Sequence, residues 1–182
     1  MCIRDSPLGL NETGFRRIGP TDPNVPPTAR REAWRRLDGD LVQGVVHDPL
    51  AWMLEGTAGN AGLFGSARDV GLFGQAVLCL RDPFDGPIAE VWTRRILPGQ
   101  ERGLGWDFKS PTGSTAGGSM SASSYGHTGF TGTSLWIDPE AGLGVALITN
   151  AVWCAPDAVA WRTFRSRFAD NAMEALVRAD LR

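Results

Sequence analysis

The chain has 182 residues, of which 42% are hydrophobic and 21% charged, and its formal net charge is −2. This composition is typical of a globular protein and argues against intrinsic disorder and fibrous repeats. The balanced charge offers no basic surface for nucleic acid, and no apolar run reaches the roughly 18 residues of a membrane-spanning helix. We therefore expect no nucleic-acid partner and no membrane span.

The first part of the chain favours loops. Residues 1–6 do not resemble the start of a domain and are expected to be non-native or disordered. Residues 7–50 are rich in Pro, Arg and Asp, which predicts loops with one short helix near 29–37, because proline restricts φ and lacks an N–H donor. No secretory signal pattern is present in these residues, so localisation is left open.

Helical periodicity begins after a glycine-rich stretch. Ser66 followed three residues later by Asp69 is a helix-start pattern. Apolar residues then recur at helical spacing, which predicts an amphipathic helix over 67–80 and a second, shorter helix over 87–96.

Beyond Pro98 the pattern changes to strands and one long helix. Residues 103–108 alternate like a strand, and the Gly/Ser/Thr-rich residues 110–124 predict a flexible loop. Residues 131–137 and 143–149 are apolar runs that Asp138-Pro139-Glu140-Ala141-Gly142 should join as a hairpin. Pro156 then opens a helix with one apolar stripe: Trp161, Phe164, Phe168, Ala172 and Leu176.

Strands followed by an amphipathic helix define the fold class as α+β, with the helix lying on an antiparallel sheet. We expect residues 7–98 to form part of a helical and loop domain, and residues 99–182 to form part of the sheet domain.

The rarity of lysine and the spacing of cysteine and histidine exclude several chemistries. A Ser-x-x-Lys pair is absent, because Lys109 is the only lysine and Trp106 stands three residues before it. Three widely spaced cysteines and two histidines 80 residues apart suggest neither a disulfide framework nor a zinc site. No phosphate-binding glycine motif occurs. We therefore expect no metal and no cofactor.

The remaining candidate is the string Gly126-His127-Thr128-Gly129-Phe130-Thr131-Gly132. A histidine and a threonine between glycines at the start of a strand suit a surface that a ligand approaches closely. The residues alone favour a second interpretation, a glycine-rich strand entry with a structural histidine.

This string resembles the third motif of the serine β-lactamase and penicillin-binding-protein superfamily. It is most similar to class C-like β-lactamase-related hydrolases and esterases, in which His-Thr-Gly often replaces Lys-Thr-Gly. Three further stretches resemble the same family in the same order: Pro7 to Phe15, Val45 to Phe64 with the helix that follows, and Gly103 to Trp106.

The resemblance implies an antiparallel sheet flanked by helices beside a helical domain. It also implies hydrolysis of a small-molecule ester or amide through an acyl-enzyme. The family's nucleophilic serine lies in a Ser-x-x-Lys motif upstream of the Pro-Leu-Gly segment. We therefore expect this chain to be the C-terminal portion of such a hydrolase and to be inactive as given. The alternative is a non-catalytic ligand-binding or interaction module that keeps the His-Thr-Gly strand.

Site roles follow from the resemblance, position by position. His127 occupies the usual lysine position, where it would engage a substrate carboxylate or assist proton transfer. Thr128 would donate a hydrogen bond to the substrate, Gly129 would let the acyl group lie against the strand, and the Phe130 N–H would be an oxyanion donor. Asn60 stands where close relatives commonly have histidine. It is either part of the site or a turn residue that tolerates the left-handed conformation.

Overall fold

The computed structural model describes residues 5–15, 23–30, 40–79, 91–93, 99, 101–154 and 157–180. Its elements in chain order are α1 (Asp5–Leu8), β1 (Gly14–Phe15), β2 (Ala29–Arg30), β3 (Leu41–Val42), α2 (Pro49–Met53), β4 (Leu63–Phe64), α3 (Ala67–Leu78), β5 (Asp107–Phe108), β6 (Tyr125–Thr128), β7 (Ser134–Asp138), β8 (Leu143–Leu147), α4 (Ala151–Cys154) and α5 (Ala158–Asp180).

The central layer is a four-stranded antiparallel sheet in the order β5-β6-β7-β8. All five residues of β7 are buried, because strands on both edges and helices on both faces cover it. β7 and β8 form the predicted hairpin, with Trp136 opposite Val145. Two smaller sheets pair β1 with β4 and β2 with β3.

Helix α3 packs on one face of this sheet. Ser66 caps it by accepting a hydrogen bond from the Asp69 N–H, as the sequence predicts. Val77 of α3 is fully buried against Leu135 and Ile137 of β7. A methyl group at Gly74 would lie 3.0 Å from Cδ1 of Leu135, so glycine is what allows the helix to approach this strand closely.

Helix α5 packs on the opposite face. Asp157 precedes it and accepts the N–H groups of Val159 and Ala160, which would otherwise lack partners. Met173 of α5 packs with Trp136 of β7 in a second buried cluster. The prediction of a long helix lying on an antiparallel sheet is confirmed.

The predicted stripe of α5 is wrong in part. Phe168 and Ala172 pack on the second cluster, but Phe164 and Leu176 are 44% and 43% exposed. The buried positions are Ala169 and Met173. The buried face of the helix is therefore displaced by about one residue from the stripe that its largest side chains suggest.

Three other local predictions need correction. Ala29 and Arg30 form a strand where a helix was expected, because they pair with Val42 and Leu41; residues 31–37 lie outside the described residues. Strand character in 103–108 is confined to β5, apart from one bridge at Arg102. Of the predicted helix over 87–96, only 91–93 are described, and 91–92 are helical.

The segment 110–124 contains no helix or strand, as expected, but it is anchored in the protein rather than loose. Ala116 and Met120 are buried in the second cluster. Lys109 donates from Nζ to the carbonyls of Gly118 and Met120, and Ser121 hydrogen bonds to the buried Asp138. A Gly/Ser/Thr-rich composition here reflects tight turns.

None of the described helices is both long and apolar enough to cross a membrane.

Candidate functional site

His127 and Thr128 lie at the end of β6, where one edge of the strand is open. On one side they pair with Leu135 and Ser134 of β7. On the other side, β5 pairs only with residues 125 and 126 among the described strands. The backbone of the His-Thr pair can therefore be approached along the edge that faces away from β7.

The imidazole of His127 is exposed and oriented by its own strand. Its Nδ1 lies 2.8 Å from the carbonyl oxygen of Thr128. Because a carbonyl oxygen only accepts hydrogen bonds, Nδ1 must carry the proton in this arrangement. Nε2 is then the ring atom that can accept a proton from a ligand, or donate to one when the ring is charged.

The turn that follows β6 is closed by its own backbone. The Gly129 N–H donates to the Thr133 carbonyl at 2.8 Å, and the Gly132 N–H donates to the Gly129 carbonyl at 3.1 Å. The Phe130 N–H and the Thr128 hydroxyl, by contrast, donate no hydrogen bond within the described part of the chain. Two donors therefore remain free at the open end of the strand.

Glycine is required at position 132 of this turn, and Gly129 is closely packed. Gly132 has φ +104°, and a methyl group there would meet Thr149 Oγ1 at 2.4 Å and Ala151 Cβ at 2.6 Å. A methyl group at Gly129 would lie 2.1 Å from Thr133 Oγ1. The glycines that the sequence suggested for ligand approach thus also serve the close packing of the turn itself.

Arg165 of α5 hydrogen bonds to the backbone of the turn after β6. Its Nε donates to the Gly132 carbonyl at 3.0 Å, and its Nη2 donates to the carbonyls of Gly129 and Thr133 at 2.8 and 3.1 Å. The guanidinium also lies 5.8 Å from the ring centroid of Trp161. Burial lowers the pKa of Arg165, yet an arginine stays charged at neutral pH.

Sequence reasoning missed Arg165, which is one of 17 arginines. A usable signal exists: it follows Trp161 by four residues, so both side chains lie on the same side of α5. A basic residue on the apolar side of a helix indicates that hydrogen-bond acceptors lie nearby, because a charged donor is costly to bury without partners.

The ring of Phe130 connects the turn to a second loop. Phe130 is 81% exposed, and its centroid lies 5.5 Å from that of His47. On its other side, the His47 ring is held by a hydrogen bond of 2.9 Å between its Nδ1 atom and Thr28 Oγ1. The structure thereby places the 47–60 loop next to the His-Thr-Gly turn.

Asn60 belongs to this loop but does not contact His127–Phe130 by any described hydrogen bond. Its amide donates to Asp48 Oδ1 at 3.3 Å. The expectation of a left-handed turn residue is not met, because Glu55 is the one described non-glycine residue with positive φ. The bond to Asp48 holds Asn60 in an ordinary bend.

Asp48 is the cap of helix α2. It accepts the Ala51 N–H at 2.7 Å. This backbone hydrogen bond, with smaller help from Asn60, lowers the pKa of Asp48 against the opposing effect of desolvation. The His-Asp-Pro sequence is therefore a structural turn in which aspartate caps a helix that begins with proline.

Within the described ranges, no group of three or more metal-ligating side chains occurs.

Comparison with known proteins identifies the family of the chain. The Beta-lactamase family model matches residues 6–167. The chain belongs to the beta-lactamase family, and the predicted resemblance to β-lactamase-related serine hydrolases is confirmed.

Two curated relatives cover different shares of the chain. It is 38% identical over 122 residues to an N-acetylmuramyl-L-alanine amidase of Bacillus subtilis, a match covering 61% of this chain and 27% of the relative. It is 32% identical over 161 residues to a putative D-alanyl-D-alanine carboxypeptidase of Salmonella gallinarum, covering 79% of this chain and 37% of the relative. The chain thus spans little more than a third of these relatives at most.

A solved β-lactamase from Mycobacterium bovis shares the fold. The superposition has a TM-score of 0.55 at 21% identity and covers 93% of this chain and 52% of that one. The predicted fold class, a part of the β-lactamase-like α+β fold, is confirmed.

Proposed function

We propose that these residues supply the third-motif strand of a serine hydrolase site that forms an acyl-enzyme on an ester or amide. The observation that carries the proposal is the unpaired Phe130 N–H, which directly follows His127–Gly129 at the open edge of β6. A donor left free beside a strand edge is suited to the oxyanion that develops during acyl transfer.

Each side chain of the motif has a defined part in this proposal. The Nε2 atom of His127 engages a substrate carboxylate, or assists proton transfer, while Nδ1 is occupied by the Thr128 carbonyl. The free hydroxyl of Thr128 donates to the substrate. Gly129 leaves room for the acyl group above the strand. Asn60 contributes indirectly, by holding the Asp48 loop whose His47 contacts Phe130.

The Ser-x-x-Lys motif of the proposed reaction does not occur in these 182 residues, since Lys109 is the single lysine and lacks a serine three positions before it. Without a nucleophile, no acyl-enzyme forms for the oxyanion donor to stabilise. We therefore expect the chain by itself to form no acyl-enzyme, and the serine to come from outside it. The amidase and carboxypeptidase relatives make a cell-wall peptide a reasonable amide substrate to test.

A second function, a non-catalytic binding module, is favoured by one observation. Phe130 is 81% exposed beside an exposed His127, and an aromatic ring in that position can contact a ligand without any chemistry.

The test is covalent labelling with a fluorophosphonate and with benzylpenicillin, followed by intact mass measurement. We expect no adduct on this chain; an adduct at a defined serine would overturn its inactivity. The DNA upstream of the Met1 codon should contain an open frame encoding Ser-x-x-Lys, and the longer protein should be labelled. A stop codon with a start signal there contradicts the hydrolase proposal.

Noncovalent binding distinguishes the alternative. If benzylpenicillin binds this chain without an adduct, Thr128→Val should weaken the binding, since valine keeps the shape of threonine but lacks the hydroxyl. Thr112→Val, in an exposed turn, is the matched control. The binding module would be established by two results together. Benzylpenicillin binding is lost in Thr128→Val and kept in Thr112→Val, and the DNA encodes no extension of the chain upstream of Met1.

A further inference from the structure

A cavity of about 160 Å³ lies between the end of α2 and the β1–β4 pair. We name it the Glu55 cavity. None of its lining residues belongs to the His-Thr-Gly strand or turn. Its lining is Phe15, Val45, Val46, Trp52, Glu55, Gly56, Thr57 and Phe64.

The backbone at Glu55 is held in a conformation that glycine normally adopts. The Gly56 N–H donates to the Ala51 carbonyl at 2.8 Å, and the Glu55 N–H donates to the Trp52 carbonyl at 3.1 Å. This pair of hydrogen bonds ends a helix with a left-handed residue, usually glycine. Here that residue is Glu55, with φ +59°. A side chain kept at a position where it is disfavoured points to a use for that side chain.

The carboxylate of Glu55 makes no hydrogen bond and no ion pair within the described part of the chain. Glu55 lines the cavity together with three aromatic residues, Phe15, Trp52 and Phe64. Aromatic faces attract cations through their quadrupole, and a carboxylate adds a full negative charge. A neutral ligand would gain only the apolar contact, and an anionic ligand would be repelled by the carboxylate.

We propose that the Glu55 cavity binds a small organic ammonium ion, with the cation between the aromatic rings and the Glu55 carboxylate. The size is suitable, because an engineered cavity of about 150 Å³ accommodates benzene, a molecule similar in volume to tetramethylammonium. This site is separate from the acyl-transfer proposal and needs no nucleophile.

The test compares choline with 3,3-dimethylbutan-1-ol, which has the same shape and no charge. Each is titrated from roughly 1 to 50 mM into the full chain while the backbone amide signals of Gly56 and Thr57 are followed by NMR. We expect these signals to shift saturably with choline. Equal shifts with the alcohol, or none with choline, would overturn the proposal.

Three variants refine the test. Glu55→Gln keeps the length of the side chain and its backbone penalty, and we expect it to weaken choline binding about fivefold or more with the melting temperature unchanged. Trp52→Leu should weaken binding similarly. Glu101→Gln removes an exposed carboxylate outside the cavity and should bind choline as the parent does. If Glu55→Gln and Glu101→Gln bind choline alike, the carboxylate is not a ligand and the proposal fails.

Discussion

The Nη2 atom of Arg165 donates to the carbonyl oxygen of Gly129 at 2.8 Å, across 36 residues of sequence. Through this bond and two others, α5 determines where the backbone turns after Thr128. The Phe130 N–H lies on the residue immediately after that carbonyl. Its direction therefore depends on a side chain in another element.

Replacing Arg165 by lysine should loosen this turn. Lysine keeps the charge but cannot present donors to three carbonyls in the planar geometry of a guanidinium. We expect the free energy of unfolding to fall by about 1.5 to 3 kcal/mol, the range for hydrogen bonds that involve a charged group. Urea unfolding measures this. Arg162→Lys is the control, because Arg162 donates only to the Gly113 carbonyl from an exposed position. Equal losses in both variants would refute a special role for Arg165.

Adding one methyl group at Gly132 should be severe. The residue has φ +104°, and the new Cβ would come within 2.6 Å of Thr149 and Ala151. We expect Gly132→Ala to cost about 3 kcal/mol or more, since backbone strain and overpacking add. Gly142→Ala has φ +67° but open space around the new Cβ, and should cost only about 1 kcal/mol. A thermal unfolding series compares the two, and similar losses would mean that packing at Gly132 is unimportant.

The neutral imidazole of His127 should carry its proton on Nδ1. The acceptor beside Nδ1 is the Thr128 carbonyl, at 2.8 Å. Long-range ¹H–¹⁵N NMR distinguishes the two tautomers. His47, the other histidine of the sequence, provides the reference signals for the assignment. Observation of the Nε2-protonated form at His127 would contradict the proposed free acceptor.

Stability should decrease in acid because of Asp138. Burial of this carboxyl opposes ionisation. Hydrogen bonds from the Ser121 hydroxyl, the Ser121 N–H and the N–H groups of Ala141 and Glu140 outweigh burial and lower the pKa of Asp138. A carboxyl whose folded pKa is lowered stabilises the protein above its unfolded value, about 3.9, and loses that effect as pH falls through the folded pKa.

Urea unfolding between pH 3 and pH 7 tests this. The Asp138→Asn variant should be less stable near pH 7 and should lose less stability below about pH 4 than the parent. Asp157→Asn is the control, since asparagine can also cap α5. A parent and an Asp138→Asn variant with parallel pH profiles would show that Asp138 contributes nothing to acid sensitivity.

Glycine at position 55 should stabilise the chain. The left-handed conformation costs a side-chain-bearing residue about 1–2 kcal/mol, part of which glycine returns as greater freedom in the unfolded chain. We expect Glu55→Gly to raise the free energy of unfolding by roughly 0.5 to 1 kcal/mol. The same variant should lose choline binding. A lower free energy of unfolding in Glu55→Gly than in the parent would show that the Glu55 side chain stabilises the fold.

Local patterns were enough to predict several elements. Ser66 and Asp69 predicted the start of α3, and two apolar runs joined by turn residues at 138–142 predicted the β7–β8 hairpin. These interactions span only a few residues, so they can be read along the chain. The stripe of α5 was predicted only in part, because the largest side chains of a helix do not by themselves decide which face the rest of the protein buries.

The His-Thr-Gly string and its family could likewise be identified from the sequence, since both depend on residue types in order along the chain. What only the tertiary structure decided is which distant groups meet. Arg165 beneath Gly129, His47 beside Phe130 and the rings around Glu55 are all such contacts. They depend on how α5 and the 47–60 loop lie against the sheet, and that packing is settled by the burial of whole faces rather than by any local pattern.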